Sequence, residues 1–408
     1  MIPSKMNDTD CQYGFEVIEG ITNATEVDKQ TWPCELRVFW VEIYPFVTLV
    51  RGLLSYGTVF IIVLGLLFNL TSLLVLTRKH MRKSTMNLYL SALAIYDCLA
   101  LTMNFMIGVL RGQNKNINKD FQDHEDLCKF HGVIVEVFNL LSIWIIVSFT
   151  IERFIMIKFP LKGKQLVTPR RAIYVIIGVS LGVLVFSMHK IAVSGFEGDS
   201  VFGYAACKTR RAIFVEIIYF YVAFNTWFPT LTIVTLNTLI LLEIRRNKKK
   251  RAQMTTQSMS KSDEKATKLL LLVSSAYVVL VLPLGLIQST ELIWNNTQKV
   301  LPSDPDYIYF MSTKIRLKWA RAFFFFFYQL NFAVNFFLYV SSSSATRFRA
   351  TLKMLLGIKV DQQEMTWNNT MKSRATKNNS VAPAPSDDGP SNRDLHLKKK
   401  EFLPESEA

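Results

Sequence analysis

From Val133 to Ile157 the chain reads VIVEVFNLLSIWIIVSFTIERFIMI, an apolar run with one carboxylate near its start and the charged pair Glu152 and Arg153 near its end. An α-helix rises about 1.5 Å per residue, so roughly twenty such residues cross the ~30 Å of hydrocarbon in a bilayer. Strands of a membrane barrel would alternate apolar and polar residues over about ten positions, and this stretch does not alternate. Similar blocks occupy Leu53–Leu76, Met86–Leu110, Ala172–Met188, Ala212–Leu242, Ala266–Ile287 and Trp319–Val340, which makes 133–157 the third block in chain order. Half of the 408 residues are apolar, 30 of them Phe, and the excess falls in these blocks. The expected fold class is therefore an all-α membrane protein, a seven-transmembrane helix bundle.

The formal charge of +15 invites a nucleic-acid reading, but its placement does not. Connectors after blocks one, three and five hold Arg78, Lys79, Arg82 and Lys83, then Lys158, Lys162, Lys164, Arg170 and Arg171, then Arg245, Arg246 and Lys248 to Arg251. The first fifty residues are acidic instead, with Asp8, Asp10, Glu16, Glu19, Glu26, Asp28, Glu35 and Glu42 against Lys5, Lys29 and Arg37. Cytoplasmic connectors of membrane proteins are enriched in Lys and Arg. The N-terminus is thus expected outside, the C-terminus in the cytosol, and no nucleic-acid partner is needed beside the lipid bilayer. Met1 to Gln30 lacks the apolar run of a cleavable signal peptide, so block one is expected to target the chain.

Four segments follow: an extracellular N-terminal segment over 1–52, the bundle over 53–343, a short amphipathic interfacial helix over 344–356, and a disordered cytoplasmic tail over 357–408. In the interfacial helix Phe348, Leu352 and Leu355 share one face. Asn7, Asn23 and Asn295 head glycosylation tripeptides on the expected outer side. Of five cysteines, Cys98 lies within block two and four lie outside. An oxidising exterior suits a Cys128–Cys207 disulfide, with Cys11–Cys34 left as a second by elimination.

Polar groups at membrane depth cost several kcal/mol unless partnered. Asn69, Asp97, Ser142, Asn331 and Asn335 fall at mid-depth of their blocks. One carboxylate facing hydroxyl and amide groups suits a small hard cation, for which sodium is available. The same residues suit a hydrogen-bonded network that only sets helix packing.

Asn69, LAIYD from Leu93 to Asp97, Cys128, Glu152-Arg153-Phe154, Pro229, Pro283 and NFFLY from Asn335 to Tyr339 resemble, in that order, the marker residues of rhodopsin-like (class A) G-protein-coupled receptors. The resemblance covers roughly residues 53–356. It implies that Arg153 is held at rest by Glu152 and by Asp263, and is released to admit a heterotrimeric G protein, with Asn335 and Tyr339 in the same switch. It further implies that Leu161 inserts into the G protein. Residue by residue, the alternatives are a snorkelling anchor for Arg153 and a loop-packing role for Leu161. The chain departs from the family pattern at Val281, where a Trp is usual, at Asn237 for Tyr and at Phe336 for Pro. The usual Trp of block four is absent.

An opsin needs a Lys where Gln329 stands, and an amine receptor an Asp where Val135 and Glu136 stand, so neither class is expected. The loop from Glu152 to Arg171 is similar to that of neuropeptide receptors. An extracellular peptide, basic or amidated, is the expected ligand, met by Val135, Glu136, Asn139, Glu216, Gln288, Glu291, Arg321 and Gln329 under a long outer loop from Leu292 to Lys318. Alternatively Glu136 is tied to a neighbour such as Arg321 and only orders the bundle. Thr255, Thr256, Ser258, Ser260, Ser262, Thr370, Ser373, Thr376 and Ser380 are candidate phosphorylation sites for arrestin. No catalytic or metal-binding constellation is visible, so no enzyme is expected. A receptor-like protein without signalling, or a seven-helix transporter, stays open beside the receptor reading.

Overall fold

The computed structural model describes residues 32–79, 81, 84–198, 205–209, 219–253, 261–297, 300–301, 303–341 and 346–358. Helices dominate: α1 Cys34–Leu76, α2 Thr85–Gln113, α3 Lys115–Asp123, α4 Glu125–Lys158, α5 Pro160–Leu166 and α6 Pro169–Ala192 come first. A two-stranded antiparallel hairpin follows, β1 Ser194–Gly198 with β2 Ala205–Thr209, Phe196 opposite Cys207. Then come α7 Tyr219–Asn247, α8 Lys261–Thr297, α9 Tyr307–Leu330, α10 Asn335–Ser341 and α11 Thr346–Leu355. Among the described residues six helices are long and apolar enough to cross a membrane, and the bent pair α9–α10, taken as one span, makes a seventh. The all-helical, seven-span expectation holds.

α4 is the most enclosed span, buried along 67% of its apolar stretch, whereas α6 is buried along only 17%. Leu90, Leu93, Ile143, Phe149, Leu270 and Phe332 meet in one core around it. Outward, Tyr56, Val185 and Val279 are each more than 70% exposed. Such a surface suits hydrocarbon as solvent, since helices already satisfy their own backbone groups.

The helices outrun their apolar blocks at the hairpin end. α1 begins at Cys34 rather than Leu53, because Leu36, Phe39, Trp40 and Val47 bury themselves against Met311 and Ile315 of α9. α9 likewise begins at Tyr307 and α8 runs on to Thr297, so the long loop expected over Leu292–Lys318 is mostly helix. Protein, not lipid, supports these extensions, and a search for membrane-length apolar runs cannot see them. α3, capped by the Asn114 side chain accepting from Asn116 N at 2.9 Å, was likewise not anticipated.

The last span bends by 49° although Phe336 replaces the usual Pro. Asn331, Phe332 and Ala333 donate to carbonyls three residues back, a tighter winding than the α-helix. Phe332 O accepts from the Asn69 side chain at 2.7 Å. A side chain entering the backbone ladder is a sufficient cause for a kink. At its end, Phe348 of α11 is buried against Tyr339 and Phe336, with ring centroids 5.6 and 6.1 Å apart, while Leu355 is exposed.

Candidate functional site

At the end of the bundle away from the hairpin, the last turns of α4 present Glu152 and Arg153, only 8% and 3% exposed. Neighbours in a helix point about 100° apart, so this pair must bend together. Arg153 Nη2 donates to Glu152 Oε1 at 2.6 Å and to Thr85 Oγ1, at the start of α2, at 2.8 Å. Its guanidinium carbon stands 5.3 Å from the Phe149 ring centroid. Full burial rules out the snorkelling reading of Arg153. Asp263 lies in the first turn of α8, and its side chain is outside the described residues. Phe154 is half-buried. Leu161, 75% exposed in the first turn of α5, does not pack under its own loop. Asn237 Nδ2 donates to Ser274 Oγ at 2.8 Å, joining α7 to α8 where the family usually has a Tyr.

Deeper, the fully buried Asp97 accepts from Ser142 Oγ at 2.6 Å through Oδ1 and from Asn335 Nδ2 at 2.7 Å through Oδ2. Asn335 also reaches Asn331 O at 3.4 Å, and Asn69 joins through Gly65 O and Phe332 O. Asn331 Nδ2 is buried without a hydrogen-bond partner. Among the described residues no group of three or more His, Cys, Asp and Glu could hold a metal ion. The Asp97 carboxylate and the Ser142 hydroxyl are oxygen groups of the kind a hard cation takes, whereas the unpartnered Asn331 Nδ2 is a donor and cannot ligate one. Tyr339 is buried, its hydroxyl also unpartnered.

At the hairpin end Glu136 is 2% exposed, with Lys190 Nζ 3.3 Å from Oε2 and His189 Nδ1 3.7 Å from Oε1. Lys190 Nζ also sits 4.3 Å from the Tyr221 ring centroid. Glu136 is thus tied to neighbours, but Arg321 is not the partner: Arg321 Nε bonds Glu291 Oε2, joining α9 to α8. The reason is position, since Lys190 closes α6 beside α4 whereas Arg321 faces α8. Asn139 Oδ1 accepts from Asn104 Nδ2 at 3.3 Å. Val135 and Gln288 are half-buried, Gln329 is buried with Oε1 unpartnered, and Glu216 lies outside the described residues. Thr85, Asn104, His189, Lys190 and Ser274 were missed at the sequence level.

Cys34 and Cys128 are disulfide-bonded and Cys98 is free. Cys11 and the Cys207 side chain lie outside the described residues, as do Asn7, Asn23 and the candidate phosphorylation sites of the tail. Asn295, expected in a loop, is half-buried in the last turns of α8 with Oδ1 enclosed, because α8 continues past its apolar block.

Residues 69–339 match the family model of the 7 transmembrane receptor (rhodopsin family). The chain is 22% identical to a GQ-coupled rhodopsin of Mizuhopecten yessoensis over 62% of its own length and 51% of the relative's. It is 26% identical to neuromedin-U receptor 2 of Mus musculus, covering 55% of the chain and 58% of that receptor. To lysophosphatidic acid receptor 4 of Homo sapiens it is 26% identical, covering 50% and 57%. It spans between half and three fifths of the length of these relatives.

Proposed function

The chain belongs to the rhodopsin family of seven-transmembrane receptors, and from that premise we propose that it sits in the plasma membrane, binds an extracellular peptide at its hairpin end and activates a heterotrimeric G protein at the Arg153 end. It is a receptor, not an enzyme. The observation that carries the coupling half is the buried cluster of Arg153, Glu152 and Thr85, which holds α4 to α2. A buried ion pair costs desolvation and is weak support for stability, whereas as a latch it has two discrete arrangements. With Arg153 released, Leu161 offers an exposed apolar contact beside the opening.

Asp97, Ser142, Asn331 and Asn335 form a sodium site in this reading, Cys128 pairs with Cys207, and Asn7 and Asn23 lie outside. Tail phosphorylation recruits arrestin. The similarity to a neuromedin-U receptor supports a peptide ligand, while that to a lysophosphatidic acid receptor supports a lipid. Gln329 in place of a Lys argues against a retinal Schiff base despite the similarity to a rhodopsin.

The test is nucleotide exchange on a panel of purified G proteins by the full chain in nanodiscs. Glu152→Gln weakens the latch and is expected to raise agonist-independent exchange about tenfold, equivalent to about 1.4 kcal/mol, and Arg153→Ala to abolish it. Surface-expressed protein that drives no exchange in either the wild type or Glu152→Gln would move the assignment to a receptor-like protein without signalling.

A further inference from the structure

Glu291 is a buried carboxylate, 6% exposed, and its Oε2 is met by Nε of Arg321. The Arg321 side chain is 40% exposed. Among the described residues no other acceptor meets its guanidinium, so both Nη groups are uncommitted. A guanidinium carries five N–H donors in one plane. When a carboxylate fixes the Nε edge, the Nη fork is held in one orientation for a second, bidentate acceptor. Helical spacing places Arg321 on the face of Phe325 and Tyr328, one and two turns on. Phe325 meets Phe105 of α2, with centroids 5.8 Å apart, and Tyr328 is buried, so this face looks into the bundle.

Glu136, the other buried carboxylate of this end among the described residues, already has Lys190 and His189 within 3.7 Å. The two buried carboxylates of this end therefore each already face a cation of the protein. An oxyanion finds an oriented fork.

We infer that Arg321, presented by Glu291, is a specificity-determining residue that reads an oxyanion of the ligand, a carboxylate or a phosphate. This rests on the reading that the ligand enters at the hairpin end, and it reverses the electrostatic half of the basic-peptide expectation. Glu291 is a positioning residue and touches no ligand.

The full chain in nanodiscs, with empty nanodiscs as blank, is titrated with N-acetyl-phenylalanyl-phenylalanine as free acid and as carboxamide. A second arm uses oleoyl glycerol phosphate against oleoyl glycerol, which separates a peptide source from a lipid one. In one arm the anionic member is expected to bind about tenfold or more tightly than its neutral twin, the scale of one charge-assisted fork. Because Arg321→Gln alone strands Glu291, the decisive variant is Arg321→Gln with Glu291→Gln, in which the preference should vanish. Glu291→Gln alone should weaken the preference and keep its direction. Equal binding within both pairs, no binding by any probe, or a preference that survives the double variant overturns the proposal. Nucleotide exchange in the same nanodiscs reports on G-protein coupling separately: lost exchange with a retained preference sinks coupling alone.

Discussion

Asp97 has both carboxylate oxygens engaged by neutral donors, Ser142 and Asn335, and no cation of the protein faces it among the described hydrogen bonds and ion pairs. A buried carboxylate without a countercharge carries a large desolvation cost, which a bound cation offsets. Asp97→Asn keeps the volume and removes the charge. Sodium at about ten times its dissociation constant stabilises a folded protein by about 1.4 kcal/mol. Wild-type receptor is therefore expected to melt at a higher temperature in sodium chloride than in choline chloride at equal ionic strength, and Asp97→Asn to show no difference. Equal melting of the wild type in both salts would favour the plain packing network.

At the scale of elements, contacts between spans depend on close approach. A Cβ added to Gly285 of α8 would stand 2.3 Å from Thr226 Cγ2 of α7, and Thr226 is 3% exposed, so it has little room to yield. Overpacking of this kind costs about 1–3 kcal/mol. Gly285→Ala is expected to lower the melting temperature, and Thr226→Ser, which deletes that methyl group, to restore most of it. Failure of the rescue would place the cost elsewhere than the α7–α8 contact. The same scale explains the bend of the last span. Asn69 was legible as a polar residue at mid-depth, but its hydrogen bond to Phe332 O, 263 residues away, was not.

Across the whole molecule, the spans continue beyond the membrane as a seam between α1 and α9. Trp40 is fully buried there, its ring 6.4 Å from that of Trp319, and Arg51 and Arg316 lie over Trp319 and Phe39 at 5.3 and 4.9 Å. A 43-residue helix is roughly 65 Å long, about twice the hydrocarbon thickness. Truncating a buried Trp costs about 3–5 kcal/mol. Trp40→Ala is expected to speed amide hydrogen exchange across 34–52 by about a hundredfold or more while leaving α4 protected. Unchanged exchange over 34–52 would mean that the extension stands without the seam.

The sequence by itself determined the seven spans and the helical class, because a bilayer imposes one length and one polarity on whatever crosses it. It also singled out Asp97, Arg153, Glu136 and Asn335, because a polar group inside an apolar block has no cheap alternative to a partner. Which partner each one takes was decided only by tertiary structure. Glu136 could have met Arg321 or Lys190 on charge alone, and Leu161 could have packed or stood free. The outer reach of α1 and α9 was likewise invisible, since those turns bury ordinary amphipathic faces against one another rather than against lipid. Sequence periodicity records what solvent a helix sees, and only the packed chain determines which other helix takes the solvent's place.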